Sequence, residues 1–150
     1  MSAARPLALL LSLAVPWVCA GESEPSLPGR IEVFTTVAVP VETSAAGLRL
    51  AITVYDLDAP ARLKASLSAG LPAEEQAAMP LARARVAVLD QETLKDAYTG
   101  LMQALRYEID RNPAIVFDAG AAVVYGVADL EQAILHYRAW RTAKAAETMP

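Results

Sequence analysis

Polar and apolar positions from residue 30 onward sort into short segments with distinct periods. Ile31-Glu32-Val33-Phe34-Thr35-Thr36 is rich in β-branched and aromatic residues and predicts a first strand, ended by Pro40. Residues 37–47 have no consistent period and read as a loop, with at most one helical turn near 43–46. Over 48–56, Leu50, Ile52 and Val54 alternate with Ala51, Thr53 and Tyr55, the period of a second strand. If the two strands are parallel, their connection is close to the minimum for a crossover, so any helix within it must be short.

The middle of the chain changes to helical spacing. Asp58 is placed to cap a helix that buries Leu63 and Leu67, one turn apart, and that Gly70 and Pro72 close. A second helical stretch starts at Ala73 with Glu74 and Glu75 in its first turn, and Pro80 is expected to kink or split it. From Asp90 a clearer helix sets Leu94, Ala97, Tyr98, Leu101, Leu105 and Ile109 on one stripe, expected to face the core.

Asn112-Pro113 stops that helix. Ala114-Ile115-Val116-Phe117 is a continuous apolar run, the pattern of a strand buried on both faces. After a turn at 118–121, Ala122-Val123-Val124-Tyr125 returns as a strand, antiparallel to its predecessor because so few residues join them. Gly126 breaks it. Asp129 with Gln132 makes a capping-box pattern for a last helix with a buried stripe of Leu130, Ala133, Ile134, Tyr137 and Trp140, fraying after Ala143. A proline ahead of a buried strand, a tight hairpin and a closing helix is similar to the C-terminal half of a thioredoxin-like domain. The resemblance implies an α/β, three-layer thioredoxin-like fold over 30–145 and a cis peptide at Pro113, while residues 146–150 read as a frayed tail.

The N-terminal residues need a separate explanation. Arg5 precedes an apolar run over 7–20, interrupted by Pro16 and ending in Val18-Cys19-Ala20. That order of charge, apolar run and small-residue end predicts a signal peptide over 1–20 cleaved after Ala20, and hence a periplasmic protein. The run is too short and too interrupted for a membrane span, so no transmembrane anchor is expected in the mature chain. Residues 21–29, rich in Pro, Ser and Glu, read as a flexible leader.

Cleavage there removes Cys19, the single cysteine among 150 residues. Disulfides, thiolate nucleophiles and a Cys-x-x-Cys centre are then excluded. Where redox-active thioredoxin-like proteins place their cysteine pair, after the first strand, this chain reads Val37-Ala38-Val39-Pro40-Val41-Glu42-Thr43. The formal charge of −4 gives no general attraction for nucleic acid. Arg83 with Arg85, or Arg138 with Arg141 and Lys144, form a basic patch or simply a solvated helix face.

Candidate chemistry is sparse. His136 is the single histidine, which excludes a two-histidine metal site, and it lies off the apolar stripe of its helix. Asp56 and Asp58 at a strand end have the spacing to bind a cation or act as acid and base, or to cap a helix. Tyr98, Tyr107, Tyr125, Tyr137 and Trp140 line a groove or belong to the core. Gly120 lacks the spacing of a phosphate loop. No cofactor is expected.

Val33-Phe34-Thr35, the run from Tyr55 to Leu63 (YDLDAPARL), Leu67-Ser68-Ala69-Gly70-Leu71-Pro72, Asn112-Pro113-Ala114-Ile115-Val116-Phe117 and Val123-Val124-Tyr125-Gly126 together resemble a family of integrating-conjugative-element proteins. Pro80 and Arg111-Asn112 are local departures from that family. The resemblance implies a non-enzymatic structural or assembly component of a conjugative type IV secretion machinery, whose partners are other proteins of that machinery. By fold analogy, Pro40 and Pro113 would mark the docking surface, since the residue before such a proline can pair its backbone with a bound strand. The alternative is a periplasmic small-ligand binder or enzyme using Asp56 and Asp58.

Overall fold

Strand β1 (Arg30–Thr35) is the centre of the molecule, and its side chains alternate between two cores. The structure is a computed structural model and describes residues 27–43 and 50–148. The expected signal peptide, most of the leader, the turn near 43–46 beyond Thr43, and the last two residues lie outside the described residues. Parallel to β1 runs β2 (Ala51–Asp56), with Phe34 opposite Tyr55. On the other side β3 (Ala114–Phe117) runs antiparallel to β1, and β4 (Ala122–Tyr125) antiparallel to β3. The sheet order is β2-β1-β3-β4.

The period-two alternation of these strands builds a layer on each face. Ile31, Val33, Ile115 and Phe117 pack against Leu130, Ala133, Ile134 and Tyr137 of helix α4 (Leu130–Thr148). On the opposite face, Phe34, Ala114 and Val116 pack with Ala104 of α3 (Gln91–Arg106), beside Tyr55, Leu57, Tyr107 and Ile109. Each fully enclosed Ile, Val or Phe contributes about 1.5–3 kcal/mol, so the two middle strands dominate stability. β3 is buried along its whole length, as its unbroken apolar run predicts.

Between β2 and β3 lie α1 (Ala59–Ser68), α2 (Glu75–Ala87) and α3. Pro60 sits in the first turn of α1, where its missing N–H costs nothing, and Gly70 at φ +67° lets the chain leave the helix. Arg85 of α2 donates to the carbonyls of Leu67 and Ala69, both at 2.7 Å, satisfying the exposed end of α1.

Four expectations are corrected. Pro80 does not split α2, which runs through it as one helix. No residue of α2 is buried, and the carbonyl at Gln76 that loses its partner lies on an exposed turn. The apolar stripe of α3 does not face the core: Gly100 and Ala104 are the buried residues, because α3 approaches β2 too closely for large side chains. The last helix does not fray after Ala143 but continues to Thr148. Packing begins before Arg30, since Pro28 is buried and the Gly29 N–H donates to Asp118 at 2.8 Å.

Candidate functional site

The pairing of Phe34 with Ala114 brings the segment after Thr35 to the end of the sheet where Pro113 leads into β3. The Asn112–Pro113 peptide is cis. Beyond β1 the Val39 N–H donates to the Thr36 carbonyl at 3.1 Å, and the Thr35 hydroxyl donates to the Val39 carbonyl. Glu42 then pairs with the start of α4: its N–H donates to Ala128 at 2.8 Å, and its carbonyl accepts from Leu130 at 3.1 Å. Residues 36–42 therefore run from the end of β1 to the start of α4, and Val41 packs against the α4-side core.

The two candidate prolines differ in access. Pro40 is exposed, whereas Pro113 is buried and its carbonyl accepts from the Gly126 N–H at 2.9 Å. Pro40, Asn112 and Arg111 are exposed, while the ring of Pro113 is not. Arg111 pairs with Asp110 at 3.0 Å and lies 5.3 Å from the centre of the Tyr125 ring.

Asp56 and Asp58 stand at the same end, after β2, but they are held apart by different partners. Arg62, in the first turn of α1, donates to Asp56 and holds its carboxyl below the usual aspartate range. The other oxygen of Asp56 accepts from the Asp58 N–H at 2.8 Å. Asp58 forms no side-chain cap on α1, contrary to expectation; its carboxylate accepts from the Val37 N–H at 3.1 Å. The loop after β1 lies within its reach, and the helix's first turn uses Pro60 instead.

The most concentrated polar chemistry lies inside the molecule, at a residue that sequence reasoning passed over. Glu32 is fully buried on the α3 face of β1. One carboxylate oxygen accepts from Arg30 at 2.8 Å, Gln103 at 3.0 Å and Tyr55 at 3.3 Å; the other accepts from Tyr107 at 2.6 Å. Burial pushes this carboxyl upward, but donation from Tyr107 and Gln103, the Arg30 charge and Tyr55 together bring it below the usual glutamate range. Burial first, then the carboxylate, raises both tyrosines. Phe34 stacks on Tyr55 at 5.0 Å and meets Tyr107 edge-on at 6.1 Å, which fixes both phenols. A lone charge among the apolar residues of a central strand was the available signal.

A second carboxylate, half-buried, ties the other end of the sheet. Asp118, at φ +47°, accepts from the Tyr137 hydroxyl and from the N–H of Gly29. Burial raises its carboxyl, and these donors outweigh that to leave it low. Tyr98 is half-exposed on α3, not in the core, while Tyr137 is buried and Trp140 packs beside it. His136 is exposed on α4. Arg85 is engaged with α1, while Arg141 and Lys144 lie 5.9 and 4.9 Å from the rings of Tyr137 and Trp140. Among the described residues no group of three His, Cys, Asp or Glu could hold a metal, and no helix is long and apolar enough to cross a membrane.

These features define a mixed α/β protein with a four-stranded sheet between α4 and the α1–α3 layer, its polar groups committed largely to internal partners. Residues 29–143 match the model of a family described as protein of unknown function (DUF1525), and the chain belongs to that family. No curated protein and no solved structure is significantly similar to it.

Proposed function

We propose that this protein is a periplasmic structural or assembly component of the conjugative DNA-transfer machinery of an integrating conjugative element, acting by protein contact on a thioredoxin-like scaffold without cysteines at its working end. Support for the scaffold comes from the strand order and directions: two parallel strands, an antiparallel pair introduced by a proline, and a closing helix. The membership in a conjugative machinery rests on the resemblance of sequence runs such as YDLDAPARL and NPAIVF, and export on the N-terminal pattern.

One observation carries the preference for contact over chemistry. Asp56 and Asp58, the carboxylates that the sequence singled out for catalysis, are both committed to holding the fold, and Asp56 is kept ionised by Arg62. A general acid needs its carboxyl raised toward the working pH, the opposite of what Asp56 has. What remains for a partner is an exposed rim around Pro40, Arg111 and Asn112.

Deleting the gene is expected to lower transfer of the element while leaving excision and replication of its DNA intact. Restoration requires a copy that includes residues 1–20. Full restoration by a copy that stays in the cytoplasm would contradict the proposal.

A further inference from the structure

We propose that the outer edge of β2 takes an extended segment of a partner protein as an added strand, and that this segment carries a lysine or arginine opposite Tyr55. Among the described residues, the sheet order leaves one side of β2 without a neighbouring strand. The Leu57 N–H donates to the Thr35 carbonyl at 2.9 Å, so Tyr55, Thr53 and Ala51, back along the strand by twos, also turn their backbone groups to β1. Ile52, Val54 and Asp56 then turn theirs outward. At Asp56 the edge is closed by α3, since a Cβ at Gly100 would lie 3.3 Å from its carbonyl oxygen and 3.6 Å from its nitrogen. At Ile52 and Val54 it stays open, and Val54 is 51% exposed. An edge strand of this length is ordinarily guarded by Lys, Pro or a bulge. β2 has none of these over its six residues, whereas β4, the opposite edge, is blunted by being limited to four.

The groups around this edge specify the occupant. Open N–H and C=O groups at alternate residues match the spacing of another extended backbone. In an added strand the residue opposite Val54 sets its side chain beside Val54 on the α4 side of the sheet, and the residue opposite Tyr55 sets its side chain on the α3 side. There Asp96 and Thr99 of α3 border a depression of about 330 Å³ with Val54, Tyr55 and Asp56. The Asp96 carboxylate has no hydrogen bond or ion pair among the described residues, and the Arg62 side chain is already engaged with Asp56. A cation on the added strand gives Asp96 its partner, and an apolar neighbour covers Val54. A second copy of this chain is the poorer match, because β2 has no basic residue to bring to Asp96.

Amide hydrogen exchange of the purified protein, followed by NMR with a short blocked peptide of alternating valine and lysine as the probe, tests this. In the free protein the amides of Ile52 and Val54 are expected to exchange faster than those of Thr53 and Tyr55, and with the peptide they are expected to slow several-fold. The same peptide with glutamate in place of lysine is expected to bind several-fold more weakly, and Asp96→Lys, a change at an exposed position, to reverse that order. Absence of protection at Ile52 and Val54, equal binding of the two peptides, or an order unchanged by Asp96→Lys would each overturn the proposal. Protection of these amides on concentrating the protein alone would overturn it too, since a second copy would then fill the edge. If Asp96→Lys does not fold, Asp96→Asn decides: the discrimination between the peptides is expected to shrink, and its persistence would contradict the proposal.

Discussion

Glu32 shows how one buried charge can organise a face of the sheet. Four donors from β1, β2, α3 and the segment after α3 converge on a single carboxylate, so replacing it removes the partner of every one. Glu32→Gln presents an amide N–H₂ to groups that are themselves donors, and is expected to destabilise the protein by about 1–3 kcal/mol in urea unfolding. Stability within error of the native chain would show that the donors find other partners. The pH dependence follows from the direction of the shift. A carboxyl held lower in the folded state than in the unfolded one stabilises the fold above the ordinary glutamate range, and that contribution is lost as pH falls through the folded value. Asp56 and Asp118 shift in the same direction. Acid unfolding is therefore expected to be steep in the native chain and shallower in Glu32→Gln, measured by circular dichroism against pH.

At the scale of elements, α3 separates what periodicity reveals from what it hides. The helix from Asp90 was legible, and the structure adds its cap: Asp90 accepts from the Thr93 N–H at 2.9 Å, and Asp90→Ala is expected to lower stability by about 0.5–2 kcal/mol in thermal unfolding. Which face turns inward was not legible from hydrophobicity, because the contact with β2 is made by the smallest residue available. A Cβ at position 100 would lie 3.1 Å from the Tyr55 Cβ and 3.3 Å from the Asp56 carbonyl oxygen. Gly100→Ala gains about 1 kcal/mol of helix propensity and loses about 1–3 kcal/mol to overpacking, so its melting temperature is expected to fall. A rise would mean that α3 can move off the sheet freely. By contrast β3 and α4 were legible in outline, since an apolar run and a 3.6-residue stripe each bury what they predict. The Glu32 cluster was not, because three of its four partners stand 23, 71 and 75 positions away in the chain.

At the scale of the whole molecule, the Pro113 end of the sheet carries the proposed contact with the transfer machinery. Asp56 and Asp58 were legible as a pair at a strand end, but their partners were not: Val37 reaches Asp58 only once β1 and β2 lie side by side, and Arg62 reaches Asp56 from α1 across the turn that follows β2. The central claim is that the Pro113 end works by shape and contact, with these carboxylates as structural ties. The measurement that tests it most directly is conjugative transfer frequency in the deletion strain carrying a copy with Asp56→Asn and Asp58→Asn together, its folding verified by circular dichroism. Asparagine keeps an oxygen for the Val37 and Asp58 N–H groups and removes the charge that acid–base chemistry would use. Contact predicts transfer at the native frequency; a folded double variant that transfers no better than the deletion would contradict it.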